Sequence, residues 1–298
     1  MILAAVLLAL IGSADIARSG LVPDARRSAR VGVAVLVAAA WAVLLGLAAT
    51  GLGVPLPWLT LPLGLAVGWV VSTAADAGAR PAGSPAVAPS RHPRLRILPA
   101  VAVLVVLAAS VFWNPLDEPA GYLVDGLAQS PVRVVAGLGI ETVVLGAGIL
   151  LFLIESANIV VRSALRPALF DGVAEAAAGP VADNGAQTLE LRTSFPWRTR
   201  VVVRSSEGTA GGAVPTVADL RGGRLIGPLE RLLIVALSLV GALPIVAGLL
   251  AAKGIVRFPE ISNDKAGGSK AEYFLVGSFV SWALALLGAG ALWLSAHS

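Results

Sequence analysis

The chain has 298 residues, of which 57% are apolar and only 13% charged, and its mean hydropathy is +0.85. These values exceed those of soluble globular proteins and indicate a chain whose solvent is lipid. Backbone groups in lipid must be satisfied internally, and the long runs of Leu, Val, Ala and Gly lack the alternation of a β-barrel. The sequence therefore predicts an all-α polytopic membrane protein.

The charge balance does not indicate a nucleic-acid partner. The net charge is +4 and the isoelectric point is near 10.1, but membrane orientation explains basic loops more simply. There is no cysteine, and His92 and His297 are the only histidines. This excludes disulfides and Cys-type metal sites and disfavours a His-type site. We therefore expect no metal, no cofactor and no nucleic acid.

The N-terminal part, residues 1–165, is predicted to be a transmembrane bundle. Its first apolar run is of marginal length and indicates a short span or anchor. Its fifth element is roughly 50 Å long at about 1.5 Å per residue, so it should tilt or protrude. With a final span, the chain is predicted to form a helical bundle of about six spans, near residues 2–14, 31–52, 56–75, 97–113, 132–162 and 272–295.

Arginine and lysine are concentrated in alternate loops. Residues 76–96 carry four arginines among many Pro, Ala and Gly, which is typical of a flexible linker. Residues 114–131 carry three acids and no base. Because basic loops stay on the cytoplasmic side, we expect a multi-pass protein of the bacterial inner membrane. Its cytoplasmic loops are predicted at residues 15–30, 76–96, 163–228 and 253–271.

Residues 166–221 are the one sizeable soluble segment in this prediction. TLELR at 188–192 and RVVVRS at 200–205 alternate as strands do, which favours a small β-hairpin on the membrane surface. An ordinary solvated loop is the alternative, since the segment is too short for a substantial core. The side chains placed to contact anionic lipid headgroups are Arg192, Trp197, Arg198, Arg200 and Arg204.

In the C-terminal membrane module, residues 222–298, hydropathy and charge predict different topologies. A single span over residues 229–252 would place Lys253 and three further basic residues outside, against the charge pattern of the other loops. Pro244 divides the apolar run into halves of about 14 residues, too short to cross roughly 30 Å of hydrocarbon. We therefore expect a re-entrant or broken helical hairpin over residues 229–258.

The ionic residues of the fifth span and of this hairpin form the candidate site. Glu155 is the most informative, because an acid inside a span is costly unless it is paired or hydrated. We expect its partner from another helix, either Arg231 or Lys253. The residues are either paired anchors that fix the hairpin or a site for an anion, a lipid phosphate or an ion path. The candidates are Glu155, Asn158, Arg162, Glu230, Arg231, Lys253, Arg257, Glu272 and Tyr273.

Three segments of the C-terminal module resemble a known signature. GGRLIGPLERLLI, AAKGIVRF and AEYFLVGSFVSWALA look like the C-terminal signature of a widespread bacterial membrane-protein family that is catalogued only as a domain of unknown function. The match covers about residues 221–286, less than a quarter of the chain. The resemblance implies a common C-terminal module. Because the family has no agreed activity, it implies no chemistry.

The sequence contains no nucleotide-binding, zinc-protease or serine-hydrolase motif. The first hypothesis is a transporter or channel-like protein with a polar site between the fifth helix and the hairpin. The second is a non-catalytic scaffold or accessory subunit of a membrane complex. The third, an enzyme acting on a lipid phosphate, would need a carboxylate poised as general base. The expected partners are the lipid bilayer and anionic headgroups, and a second copy or a partner membrane subunit stays open.

Overall fold

The computed structural model describes residues 1–21, 27–77, 105, 119–130, 137–165, 223–262 and 269–297, with the backbone alone at 74–77, 223–224, 257–262 and 269–273. Every regular element within these ranges is helical. This confirms the all-α class for the part of the chain described. Apart from Val105, the predicted span at 97–113 lies outside it, as does the predicted β-hairpin at 188–205.

The described residues form eight helices. A helix satisfies its backbone within its own segment, which is what apolar runs of Leu, Val and Ala require in lipid. A π-helical turn, Leu47–Gly51, continues α2, and a second one, Phe152–Ser156, lies inside α5. The helices are α1 (Ile2–Ser19), α2 (Arg27–Gly46), α3 (Leu56–Ala77), α4 (Tyr122–Ala128), α5 (Ile140–Leu165), α6 (Gly223–Leu239), α7 (Leu243–Ser262) and α8 (Ser269–His297).

Within the described ranges, five helices are long and apolar enough to cross a membrane. The α5 helix begins later than the predicted residue 132, because residues 137–139 form a turn and Gly139 caps the helix in an extended conformation. The five segments are Ile2–Ser19, Arg27–Gly51, Leu56–Thr73, Ile140–Leu165 and Phe274–His297.

Helix α1 is the core of the bundle. It is the most buried of the five, and α2, α3 and α5 all pack against it. It runs parallel to α5, because the Met1 ammonium lies 3.2 Å from Oε2 of Glu141 and Gly12 lies against the backbone of Leu151. The segment predicted as a short span or anchor is therefore a central helix.

The contacts of α5 define two ends of the bundle. At the Glu141 end, Oγ1 of Thr142 lies 3.0 Å from Oγ of Ser295 in α8. At the opposite end, which we call the Leu165 end, Leu165 of α5 lies against Gly277 of α8. Helix α8 is therefore antiparallel to α5 and begins at the Leu165 end.

Helices α6 and α7 form a helical hairpin. The chain turns at residues 240–242, where Gly241 has φ of +74°. Nζ of Lys253 lies 2.6 Å from Oε2 of Glu230, although both lie ten or more residues from the turn. Collinear helices would hold these side chains more than 30 Å apart, at about 1.5 Å per residue, so the chain folds back on itself.

The turn of this hairpin lies before Pro244, the residue from which a break in the helix was predicted. Pro244 is the second residue of α7, within the first helical turn, where a missing N–H costs little. The turn is supplied instead by Gly241, because glycine adopts a positive φ without steric strain.

Candidate functional site

The π-helical segment of α5 presents backbone carbonyls to side chains. A π turn replaces the regular i to i+4 pattern and is common at functional sites. The carbonyl of Leu153 accepts a hydrogen bond from Nε of Arg231 at 2.9 Å. The carbonyl of Ile154 accepts one from Nδ2 of Asn158 at 3.2 Å. The segment therefore provides backbone acceptors in the middle of α5.

Arg231, from α6, is the central side chain of the site. It is only 2% exposed. Besides its bond to Leu153, it donates from Nη2 to Oδ1 of Asn158 at 2.6 Å and from Nη1 to Oγ of Ser281 at 3.3 Å. These three acceptors are electrically neutral and come from α5 and α8. The guanidinium thus ties α6 to two membrane-spanning helices.

Two carboxylates flank the guanidinium of Arg231. Glu155 is 8% exposed, and its Oε2 accepts a hydrogen bond from Nδ2 of Asn158 at 3.3 Å. Glu230 is the neighbour of Arg231 in the chain, and both carboxylates attract the guanidinium electrostatically. A buried cation is tolerated only with such compensation.

Glu230 connects the hairpin to α8. Its Oε2 accepts from Nζ of Lys253 at 2.6 Å, and its Oε1 accepts from Nε1 of Trp282 at 2.8 Å. Nζ of Lys253 also lies 5.6 Å from the centre of the Trp282 ring, within the range of a cation–π interaction. One carboxylate therefore holds α6, α7 and α8 together.

These contacts form a polar network of two hydrogen-bonded groups, one reaching Lys253 on α7 and the other Glu155 on α5, which adjoin at the chain neighbours Glu230 and Arg231. The side chain of Lys253 is 30% exposed, whereas that of Glu230 is 9% exposed. Arg231, Asn158 and Glu155 are enclosed as well, at 2%, 6% and 8% exposed. We call it the central network, and its members are Lys253, Glu230, Trp282, Arg231, Ser281, Asn158 and Glu155.

The structure brings five of the nine predicted site residues into this network. Of the two partners predicted for Glu155, Arg231 lies in the same cluster, while Lys253 pairs with Glu230. Arg162 lies seven residues beyond Glu155 on α5, which is a rise of roughly 10 Å along the helix at about 1.5 Å per residue.

Three other candidates, Arg257, Glu272 and Tyr273, lie on α7 and α8, and their side chains are outside the described structure. The headgroup candidates lie entirely outside the described residues, namely Arg192, Trp197, Arg198, Arg200 and Arg204.

Sequence reasoning missed Ser281, Trp282 and the π-helical carbonyl of Leu153. The serines had a usable signal, because Ser278 and Ser281 are polar residues one helical turn apart in an apolar span, and both are buried. The Leu153 carbonyl had no such signal in the sequence, since a π turn has no clear sequence pattern.

A second buried polar cluster joins α1 to α3 toward the Leu165 end. Asp15, 2% exposed, pairs with Arg18 and accepts from Nε1 of Trp69 at 2.9 Å. Arg18 also donates to Oγ1 of Thr73 at 3.0 Å and to the carbonyl of Val70 at 3.2 Å. The loop predicted from residue 15 therefore starts only after Ser19, because Asp15 is a buried partner and not a loop residue.

The central network offers hydrogen bonds and opposite charges but no metal-binding set. Among the described residues, no group of three or more His, Asp or Glu side chains lies close enough to hold a metal ion. No family model, curated protein or solved structure matches this chain. Any functional assignment therefore rests on the geometry of the network itself.

Proposed function

We propose that the protein is a transporter or channel-like protein whose polar site is the central network. The observation that supports this most is Arg231, 2% exposed and held by three protein oxygens among apolar helices. An arginine at the centre of a membrane helix costs about 2.5–3.5 kcal/mol by insertion scales. Ionisable residues in such positions commonly mark ion, proton or substrate pathways.

We further propose that the α6–α7 hairpin is re-entrant, entering the bilayer and returning to the side it left. The apolar part of α7, Leu243–Val256, is about 21 Å long at 1.5 Å per residue, shorter than the roughly 30 Å of a hydrocarbon core. The pairing of Lys253 with Glu230 supports a hairpin that starts and finishes on one side. Irregular backbone such as the 240–242 turn is tolerated in membranes where protein or water surrounds it.

The Leu165 end of the bundle is the proposed cytoplasmic side of a bacterial inner membrane. The helix ends there adjoin the arginine- and lysine-rich loops 76–96, 163–228 and 253–271, and the loop between α1 and α2. Basic loops of this kind remain in the cytoplasm. The acidic segment before α4 then faces outward, as its lack of lysine and arginine indicates.

The moving part in this proposal is α7. It packs chiefly against α6, and one of its faces is exposed, with Ile255 and Val256 among its most accessible side chains. The Lys253–Glu230 pair holds it in the present arrangement, and Gly241 provides a turn about which it can swing. Such rocking of a broken helix beside a buried polar site is a known basis of transport.

A flux assay with matched conservative variants tests this proposal. The protein is reconstituted in liposomes, and fluxes of ²²Na⁺, ⁸⁶Rb⁺, ³⁶Cl⁻ and H⁺ are compared with those of protein-free liposomes. Arg231→Lys keeps the charge but cannot reach all three oxygens, so loss of a bond worth about 1.5–3 kcal/mol should reduce flux at least tenfold. Arg27→Lys, on the exposed start of α2, should leave flux unchanged.

Three results would count against the proposal. Flux no faster than in protein-free liposomes for any of the four ions would contradict it. Equal flux in Arg231→Lys and the wild type, with both proteins monodisperse, would remove the network from the pathway. Co-purification of a stoichiometric membrane subunit without any flux would favour the scaffold hypothesis.

A further inference from the structure

We propose that the species carried through the central network is the proton, with the carboxylate of Glu155 as its binding group. This inference rests on the proposed transport function and names its substrate class. It follows from asking which small ions could find suitable ligands in the network, given the atoms that its own hydrogen bonds already occupy.

A metal cation lacks ligands in this site. Sodium, potassium, calcium and magnesium ions are bound by several oxygen atoms. The neutral oxygens of Leu153, Asn158 and Ser281 are already accepting hydrogen bonds from Arg231. The fixed positive charge of the guanidinium would also repel a second cation from the same place.

An anion is disfavoured for the opposite reason. The guanidinium directs its Nε, Nη1 and Nη2 atoms toward protein oxygens. The carboxylates of Glu155 and Glu230 both lie close enough to act on it electrostatically. A chloride or phosphate ion approaching Arg231 would therefore meet two negative charges and compete with existing bonds.

A proton needs only an oxygen atom and a chain of polar groups. Lys253 contacts Glu230 at 2.6 Å, and Glu230 is the chain neighbour of Arg231 and attracts it electrostatically. Arg231 contacts Asn158 at 2.6 Å, and Asn158 contacts Glu155 at 3.3 Å. The network thus extends from a partly exposed amine to an enclosed acid. Chains of acids inside membrane helices are a recurring form of proton relay.

Ser156 supplies an independent observation beside the acid. Its side chain is fully buried in the π-helical segment, and its Oγ has no hydrogen-bond partner among the described residues. Buried polar atoms are nearly always paired, so an unpaired one indicates a functional role or a small polar ligand. The π-helical segment that carries Glu155 therefore also holds a buried hydroxyl with unused hydrogen-bonding capacity.

The charged and polar groups around Glu155 come from every helix packed on this segment. Asn158 lies on the same helix and bonds Glu155, Arg231 of α6 attracts it electrostatically, and Ser281 of α8 bonds the same guanidinium. On α1, the ionisable residues Asp15 and Arg18 are paired with each other.

The transfer step itself is simple. A proton binds one carboxylate oxygen of Glu155, giving the neutral acid, and leaves from the same carboxyl group, with no other covalent change. Neutralising this carboxylate reduces the attraction on Arg231, which couples protonation to the contacts between α5 and α6.

Proton flux into liposomes that contain pyranine tests the inference, with the membrane potential set by a potassium gradient and valinomycin. The wild type should acidify the lumen faster than protein-free liposomes do, and Glu155→Gln should reduce the rate at least tenfold. Glu141→Gln removes an acid from the same helix outside the network and should keep the wild-type rate. If Glu155→Gln is not monodisperse, Glu230→Gln tests whether the acid at the Lys253 side of the network is needed for proton flux, because glutamine can still accept from Trp282.

The outcomes separate this inference from the broader proposal. If proton flux is at the protein-free level while sodium, rubidium or chloride flux is fast and sensitive to Glu155→Gln, the proton inference fails and transport stands. If proton flux in Glu155→Gln is as fast as in the wild type, Glu155 is not the carrier. If none of the four ions moves, both proposals fail.

Discussion

At the scale of the residue, the central network depends on carboxylates that serve more than one helix. Glu230 accepts from Lys253 at 2.6 Å and from Trp282 at 2.8 Å, and its side chain is only 9% exposed. Exposed ion pairs contribute little to stability, whereas enclosed, charge-assisted bonds contribute about 1.5–3 kcal/mol each. We therefore expect the pairing of Lys253 with Glu230 to be measurable.

A double-mutant cycle with Glu230→Gln and Lys253→Met should give a coupling energy of about 1–3 kcal/mol. Glutamine keeps an acceptor for the Trp282 indole, so the cycle isolates the interaction with the ammonium group. Unfolding of the protein in detergent by added SDS provides the free energies.

The control cycle combines Lys253→Met with Thr142→Val. Thr142 lies at the Glu141 end and contacts Ser295, so the two changes should be additive within about 0.5 kcal/mol. A coupling energy near zero for Glu230 and Lys253, or equal coupling in the two cycles, would show that the pair does not stabilise the hairpin.

At the scale of the element, small residues decide how closely α1 and α5 approach. A Cβ added at Gly148 would lie 2.6 Å from the carbonyl oxygen of Ala5, and one added at Gly12 would lie 2.6 Å from the carbonyl carbon of Leu151. Both clashes are with backbone atoms, which cannot move without separating the helices. Close packing of small residues is a principal source of helix association in membranes.

Gly148→Ala should therefore destabilise the protein by about 1–3 kcal/mol through overpacking. Gly146→Ala is the matched control on the same helix, because its Cβ would make an ordinary contact of 3.5 Å with the Leu292 side chain. We expect Gly146→Ala to change stability by less than about 1 kcal/mol. SDS unfolding measures both, and equal losses would mean that the α1–α5 contact is looser than the structure shows.

At the scale of the whole molecule, the fold places the ends of the helices at two ends of the bundle. The hairpin determines at which of them the loop between α7 and α8 lies. Gly20 follows α1 near the Leu165 end. Gln129 follows α4, and Ala120 and Gly121, just before α4, contact Gly53 and Gly51 near the Glu141 end. If the hairpin folds back, the loop after α7 lies on the same side of the membrane as Gly20.

Single cysteines at Gly20, Gln129 and Lys265 test this arrangement, since the natural chain has no cysteine. A maleimide that cannot cross membranes is applied to right-side-out spheroplasts and to inverted vesicles. Gly20→Cys and Lys265→Cys should label from the same side and Gln129→Cys from the other. Labelling of Lys265→Cys together with Gln129→Cys would rule out the re-entrant hairpin.

The sequence predicted individual ionic residues better than their partners. Glu155 was identifiable because an acid in an apolar run is costly, and it is indeed enclosed. Ser281 follows Ser278 by one helical turn, but the sequence did not show that another helix brings an arginine to it. Asp15 was assigned to a loop by its charge, although the structure pairs it with Arg18 and Trp69 inside the bundle.

The sequence by itself determined the helical membrane class, the position of most described helices and the folding back of the chain between α6 and α7. These depend on hydropathy and charge along the chain, which are local properties. Only the tertiary structure decided that α1 is central, that α5 contains a π turn and that Arg231 binds Leu153, Asn158 and Ser281. Those features depend on how each helix is rotated against its neighbours, which no single segment specifies.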